Sequence, residues 1–116
     1  MLIELLTDKY PGMRLWLSQR LSALVMAVYI VCLIVVLLII QPNSFIEWHT
    51  VASNIVFKVT TFLFFVCLSF HAWLGVRDVM RDYVFNVNLR NKLQVLVDIL
   101  LLGYLAWAGF ILWVSL

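Results

Sequence analysis

The residues able to do chemistry in this chain are few: His71, the pair Asp82 and Tyr83 shortly after it, and the more distant Arg20 and Asp98. His71 stands in a run without charge, residues 59–76, six positions before Arg77. At about 1.5 Å of rise per helical residue it lies roughly 9 Å inside the end of that run. An ionisable group at such a depth usually faces a bundle interior and marks a pathway or a cofactor, and a neutral imidazole is the commonest metal ligand. The competing reading is a hydrogen bond to a hydroxyl or carbonyl of a neighbouring helix. Position alone leaves both open.

Neighbours three and four residues away share the face of His71: Cys67, Leu68, Leu74 and Gly75, with Phe64 and Asp78 a further turn out. Gly75 withholds a side chain beside the imidazole, which suits either a flat macrocycle against the helix or close helix packing. A six-coordinate haem needs two axial ligands, and the other histidine, His49, lies before the start of this run. The helix from residue 59 to His71 alone spans about 18 Å, so His49 cannot reach the same iron. If His71 binds haem, the second ligand comes from another subunit.

Tyr83 reads either as a residue of the interfacial aromatic belt or as a phenol that donates to a quinone carbonyl, with Asp82 orienting it or relaying a proton. Asp82 has an alternative use as an ion-pair partner of Arg81 or Arg90. Arg20, always charged, either anchors a helix end to headgroups or pairs with an acidic ligand group such as a haem propionate. Asp98 is expected to find a local basic partner, a proton-path role being the weaker idea.

The elements that must position these groups are membrane helices. Sixty-six percent of the 116 residues are hydrophobic and 12% are charged, against roughly 45–50% and about 25% in soluble domains. Three charge-poor runs are long enough to cross a bilayer: residues 21–40, residues 59–76, and residues 93–116 with Asp98 just inside. Residues 13–20 form a lead-in to the first, after a turn at Pro11 and Gly12. Residues 45–57 suit a helix lying in the interface, with Trp48, Val51 and Ile55 against Glu47, Thr50 and Asn54. The expectation is an all-α membrane protein with a single anchor domain over residues 1–116.

Seven of the eight basic residues fall before the first span or between the second and third, leaving Lys58 on the other side. The positive-inside rule then puts the N-terminus in the cytoplasm and the C-terminus in the periplasm. Small residues mark contact faces, Ala23 with Ala27 and Gly103 with Ala106 and Gly109. The basic residues form no run suited to nucleic acid. Cys32 and Cys67 lie inside apolar runs, where a lone thiol usually behaves as a small buried hydrophobe, and they form no disulfide or metal motif. Glu4 and Asp8 precede an apolar run longer than a leader core, so a bacterial inner-membrane protein made in its mature form is expected.

The run His71-Ala72-Trp73-Leu74-Gly75, followed by Val79 and by Asp82-Tyr83, resembles the signature of the hydrophobic membrane anchor subunit of succinate dehydrogenase. Gln19-Arg20-Leu21-Ser22-Ala23 at the start of the first span, the three spans and the length are similar to that family too. The resemblance implies that His71 is an axial ligand of haem b, that Arg20 stands near the haem propionates, and that Tyr83, with Asp82, meets ubiquinone. It also implies a second anchor subunit, the cytochrome b subunit, bringing the other haem ligand. An iron–sulfur subunit and a flavoprotein subunit, which hold the iron–sulfur clusters and FAD, would dock on the cytoplasmic face. Electrons from succinate would then reach the quinone near Tyr83, as part of the respiratory chain and the tricarboxylic acid cycle. This chain would have no flavin and no turnover of its own.

Other readings are the equivalent anchor of a fumarate reductase, a haem-free structural or assembly protein in which His71 bonds across helices, and a small transporter subunit with His71 and Asp98 on a proton path.

Overall fold

A computed structural model describes residues 13–115; the stub before Met13, its Pro11-Gly12 turn, and Leu116 lie outside the described residues. Four α-helices follow one another: α1 (Met13–Ile40), α2 (Phe45–Ala52), α3 (Ile55–Tyr83) and α4 (Val87–Phe110). A π-helical turn, Ile111–Ser115, continues α4. Three of these segments, α1, α3 and Val87–Val114, are long and apolar enough to cross a membrane. At 28 to 29 residues each they measure about 42 Å, well beyond the roughly 30 Å of hydrocarbon.

The helices outrun the charge-free segments because what ends them is capping chemistry, not charge. Arg14 and Arg20 lie within α1, and Lys58 and Arg77 within α3. Long basic side chains at helix ends reach back to the headgroups without breaking the helix. Gln41 takes a φ of 49°, the left-handed conformation that closes a helix C-terminus, and Pro42 follows at once. Ser44 Oγ accepts from the Glu47 N–H at 3.2 Å while Glu47 Oε2 accepts from the Asn43 N–H at 2.5 Å. This reciprocal cap starts α2.

The interfacial helix expected over residues 45–57 stops at Ala52. Asn54 intervenes, its Oδ1 accepting from the Val56 N–H at 2.8 Å to open α3, so Ile55 and Phe57 belong to the second span. Asn86 opens α4 in the same way, accepting from the Asn88 and Leu89 N–H groups. Only residues 84–86 separate α3 from α4.

The second span, α3, is the centre of the molecule, packing against α1 on one side and α4 on the other. Two polar bridges set the antiparallel register of α1 and α3. One joins Ser22 to His71 at 3.0 Å, and the other joins Tyr29 to Thr61 at 2.5 Å. On the α4 side, Phe62 packs edge-on against Trp113 at 5.1 Å between centroids. A Cβ added to Gly109 would meet Phe62 at 3.4 Å, whereas Gly103 has nothing within 4 Å. The small-residue face of α4 is therefore a contact at Gly109 and open at Gly103.

The buried apolar side chains among the described residues are Leu74, Met80 and Leu112, while aliphatic side chains along all three spans stay exposed. Such surface belongs against lipid or against other membrane chains. Between α1 and α3, on the side capped by α2, an apolar groove of about 870 Å³ runs from Tyr29 past Val36 to Ile40, with Glu47, Thr50 and Asn54 at its end.

Candidate functional site

His71 lies just past the middle of α3 and Ser22 a little over a third of the way along α1. Their opposed directions therefore bring the two to the same level. Ser22 is 6% exposed, one of two buried polar residues among those described. Its hydroxyl bonds both the backbone carbonyl of Gln19, at 2.9 Å, and His71 Nδ1, at 3.0 Å. A carbonyl oxygen can only accept, so both contacts are hydrogen bonds at once only when the single hydroxyl proton goes to Gln19. The Ser22 oxygen then accepts from Nδ1–H, and the neutral ring carries its lone pair on Nε2. Nε2 itself makes no hydrogen bond among the described residues.

A cleft of about 360 Å³ opens beside the imidazole. Leu15, Trp16, Gln19, Arg20 and Ala23 of α1 form one wall, and His71, Asp78 and Arg81 of α3 the other. Helix periodicity explains both sets. Asp78 follows His71 by seven residues, about two turns, and Arg20 follows Trp16 by four. The Arg20 guanidinium rests over the Trp16 ring at 5.1 Å, a stacking that holds a flexible cation at the cleft wall. Two guanidinium groups against one carboxylate leave the cleft with a formal charge of +1 when His71 is neutral.

Gly75 faces this region but meets a side chain, not open space. A Cβ there would sit 3.7 Å from Gln19 Nε2. That is an ordinary contact distance, so the long polar side chain from α1 lies beside the α3 backbone with room for a methyl group. The Oε1 of that amide is buried and has no partner among the described residues. Buried polar atoms are nearly always paired, so the Gln19 amide marks a place where a further polar group belongs.

Arg20 and His71 are thus brought to one cleft, whereas Asp82 and Tyr83 are not part of it. Tyr83, the last residue of α3, is 77% exposed, and Asp82 is exposed beside it. Asp82 comes eleven residues after His71, about three turns, and so lies on the same face; Tyr83 is roughly 120° round the helix. His49 sits in α2 against Phe45, with ring centroids 5.9 Å apart, far along the chain from the cleft. Asp98 accepts from Gln94 Nε2 at 3.2 Å, one turn earlier on α4. A neutral amide takes the place of the basic partner expected for it. Among the described residues no group of three or more His, Cys, Asp and Glu could hold a metal ion, so any metal chemistry here rests on a lone imidazole.

The sequence alone assigns no role to Ser22 or Gln19. A serine in an apolar run is silent by itself, and only the helix register that places it opposite His71 gives it meaning.

Three antiparallel spans with a polar cleft near one end, and most apolar surface left uncovered, define a small helical protein of the membrane. The chain belongs to the succinate dehydrogenase/fumarate reductase transmembrane subunit family, whose model matches residues 5–114. It is 38% identical over 104 residues to the succinate dehydrogenase hydrophobic membrane anchor subunit of Coxiella burnetii, a match covering 90% of each chain. The proteins of the same name from Rickettsia felis and Rickettsia conorii are 34% and 33% identical. Those matches cover 83% and 76% of this chain and 80% and 71% of the relatives.

Proposed function

We propose that the chain is the hydrophobic membrane anchor of a succinate dehydrogenase complex in a bacterial inner membrane, or the equivalent anchor of a fumarate reductase. In this reading residues 1–116 form one anchor domain, and His71 Nε2 is an axial ligand of a b-type haem. The observation that carries it is the division of labour at His71: Nδ1 is engaged by Ser22, and Nε2 is left with its lone pair beside a cationic cleft. An interhelical hydrogen bond, the competing reading of His71, exists, but it occupies one ring nitrogen only. Metal-bound histidines usually have their other nitrogen held in this way.

The residues of the cleft suit haem. Arg20 and Arg81 supply cations for carboxylate side groups, the Gln19 amide offers a polar end without a partner, and Asp78 stands opposite the two cations. Haem b bound there would give the complex a one-electron carrier. The protein's own contribution is to orient the imidazole and to neutralise acidic side groups through Arg20. With one ligand available in the chain, a second anchor subunit, the cytochrome b subunit, supplies the other.

Tyr83 and Asp82 form this chain's part of a ubiquinone site. The phenol donates to a quinone oxygen, and Asp82 holds or moves a proton beside it. Both lie at the end of α3 that Arg77 and Arg81, with Arg90 and Lys92 at the start of α4, make cytoplasmic under the positive-inside rule. The same end of the bundle meets the iron–sulfur subunit, which carries the iron–sulfur clusters, and beyond it the flavoprotein subunit with FAD. The N-terminus is then cytoplasmic and the C-terminus periplasmic.

The test is a reduced-minus-oxidised absorption spectrum of the affinity-purified complex, with its subunits identified, for the wild type and His71→Leu. A low-spin b-type signal lost or altered in the variant is the expected result. A complex with the partner subunits but without haem would keep the anchor and remove the ligand role of His71. The absence of those partners would overturn the anchor reading itself.

A further inference from the structure

We propose that Ser22 is a positioning residue for the haem ligand: it selects the tautomer of His71 and fixes the plane of its ring. The inference rests on the reading of His71 as an iron ligand and goes further, to what makes the ligand competent. An imidazole can carry its proton on either nitrogen, and only the form protonated at Nδ1 presents the Nε2 lone pair to a metal.

In this fold the choice is made by a short relay: Nδ1–H donates to Ser22 Oγ, whose own proton is committed to the Gln19 carbonyl. Chains of this kind polarise one another. The opposite tautomer would set the Nδ1 lone pair against the Ser22 oxygen unless the hydroxyl abandoned Gln19. Ser22 is 6% exposed, so water does not compete for these bonds.

The register of α1 on α3 keeps the relay in place. The Tyr29–Thr61 bond lies seven residues further along α1, or about two turns, and Tyr29 also stacks on Phe64 with centroids 4.7 Å apart. Rotation of α1 that would carry Ser22 away from His71 must therefore break a second polar bridge. By holding the Nδ1 proton in a hydrogen bond, Ser22 makes the ring a stronger electron donor, which favours ferric over ferrous iron.

The experiment uses the complete complex carrying Ser22→Ala or Ser22→Thr, with haem content, midpoint potential and the low-spin electron paramagnetic resonance signal as readouts. Partners of metal-bound histidines typically change metal affinity by about 10–100-fold when removed. For Ser22→Ala the expectation is a preference for ferric iron about tenfold weaker, which is an upward shift of roughly 59 mV for one electron, with an altered resonance position. Ser22→Thr, which keeps the hydroxyl, should restore both. An alanine variant with wild-type potential and resonance overturns the proposal while leaving His71 as ligand. A wild-type complex without haem overturns the ligand reading instead.

Should Ser22→Ala not assemble, pulsed resonance on the ferric wild type with labelled histidine reads the Nδ1 proton directly. A proton hydrogen-bonded within the protein supports the relay, and one that exchanges freely with solvent deuterium overturns it.

Discussion

Tyr29 and Thr61 meet oxygen to oxygen at 2.5 Å across α1 and α3, with Thr61 only 8% exposed. In hydrocarbon neither hydroxyl has water to return to, so the pair acts as a second directional clasp between these helices, beside the Ser22–His71 bond. Hydrogen bonds of this kind in membrane proteins contribute about 0.6 kcal/mol on average and at most about 1.7 kcal/mol. The clasp is modest in energy but specific in register.

Thr61→Val removes the hydroxyl with little change of shape, and Tyr29→Phe does so while keeping the ring on Phe64, 4.7 Å away. Each is expected to lower the stability of the detergent-solubilised complex by about 0.6 kcal/mol. Tyr29→Ala also loses the aromatic stack, for about 0.5–1.5 kcal/mol more beyond the lost area. Thermal denaturation checks the order, and equal losses for Tyr29→Phe and Tyr29→Ala would show that the stack contributes nothing.

Tyr83 separates folding from function because its side chain is 77% exposed at the end of α3. Tyr83→Phe should leave assembly, haem content and succinate oxidation by an artificial acceptor unchanged. One hydrogen bond contributes about 0.5–1.5 kcal/mol, and 1.4 kcal/mol is a factor of ten, so kcat/KM for quinone reduction should fall by up to about tenfold. Steady-state kinetics with both acceptors decide this. Unchanged quinone kinetics would move the quinone site away from Tyr83.

What the sequence made legible follows from which forces act within one chain. Spans are readable from hydropathy because a bilayer tolerates few charges, and His71 stands out because it violates that rule. The helix ends were displaced from the charge boundaries because Asn54 and Asn86 set them, and an asparagine cap is a weaker sequence signal than a lysine. Ser22 and Thr61 could not be assigned without the register of α1 on α3, since neither differs in sequence from any hydroxyl in an apolar run. Asp82 and Tyr83 show the opposite limit. Their motif is plain, but both stay exposed at the end of α3, so the fold of this chain adds nothing to what the motif says.

Gly75 gives a graded test of the cleft wall. A Cβ there would stand 3.7 Å from Gln19 Nε2, an ordinary contact, so Gly75→Ala should assemble with normal haem content. Gly75→Leu would drive its branch into the space of the Gln19 amide, overpacking that costs about 1–3 kcal/mol, and should lower both haem content and thermal stability. A leucine variant with full haem content would show that α1 yields at this point without disturbing the ligand.

The two glycines of α4 should respond in opposite ways. Gly109 already brings its backbone to Phe62, which a Cβ would meet at 3.4 Å, and Phe62 is braced edge-on by Trp113. A leucine there has to push the braced ring or lift α4 off α3, so Gly109→Leu is expected to cost about 1–3 kcal/mol. Gly103 has no atom within 4 Å, and Gly103→Leu should stay within about 0.5 kcal/mol of the wild type. Thermal denaturation of the complex measures both. A loss at Gly103 as large as at Gly109 would show that another subunit packs on that face of α4, where this chain alone leaves it uncovered.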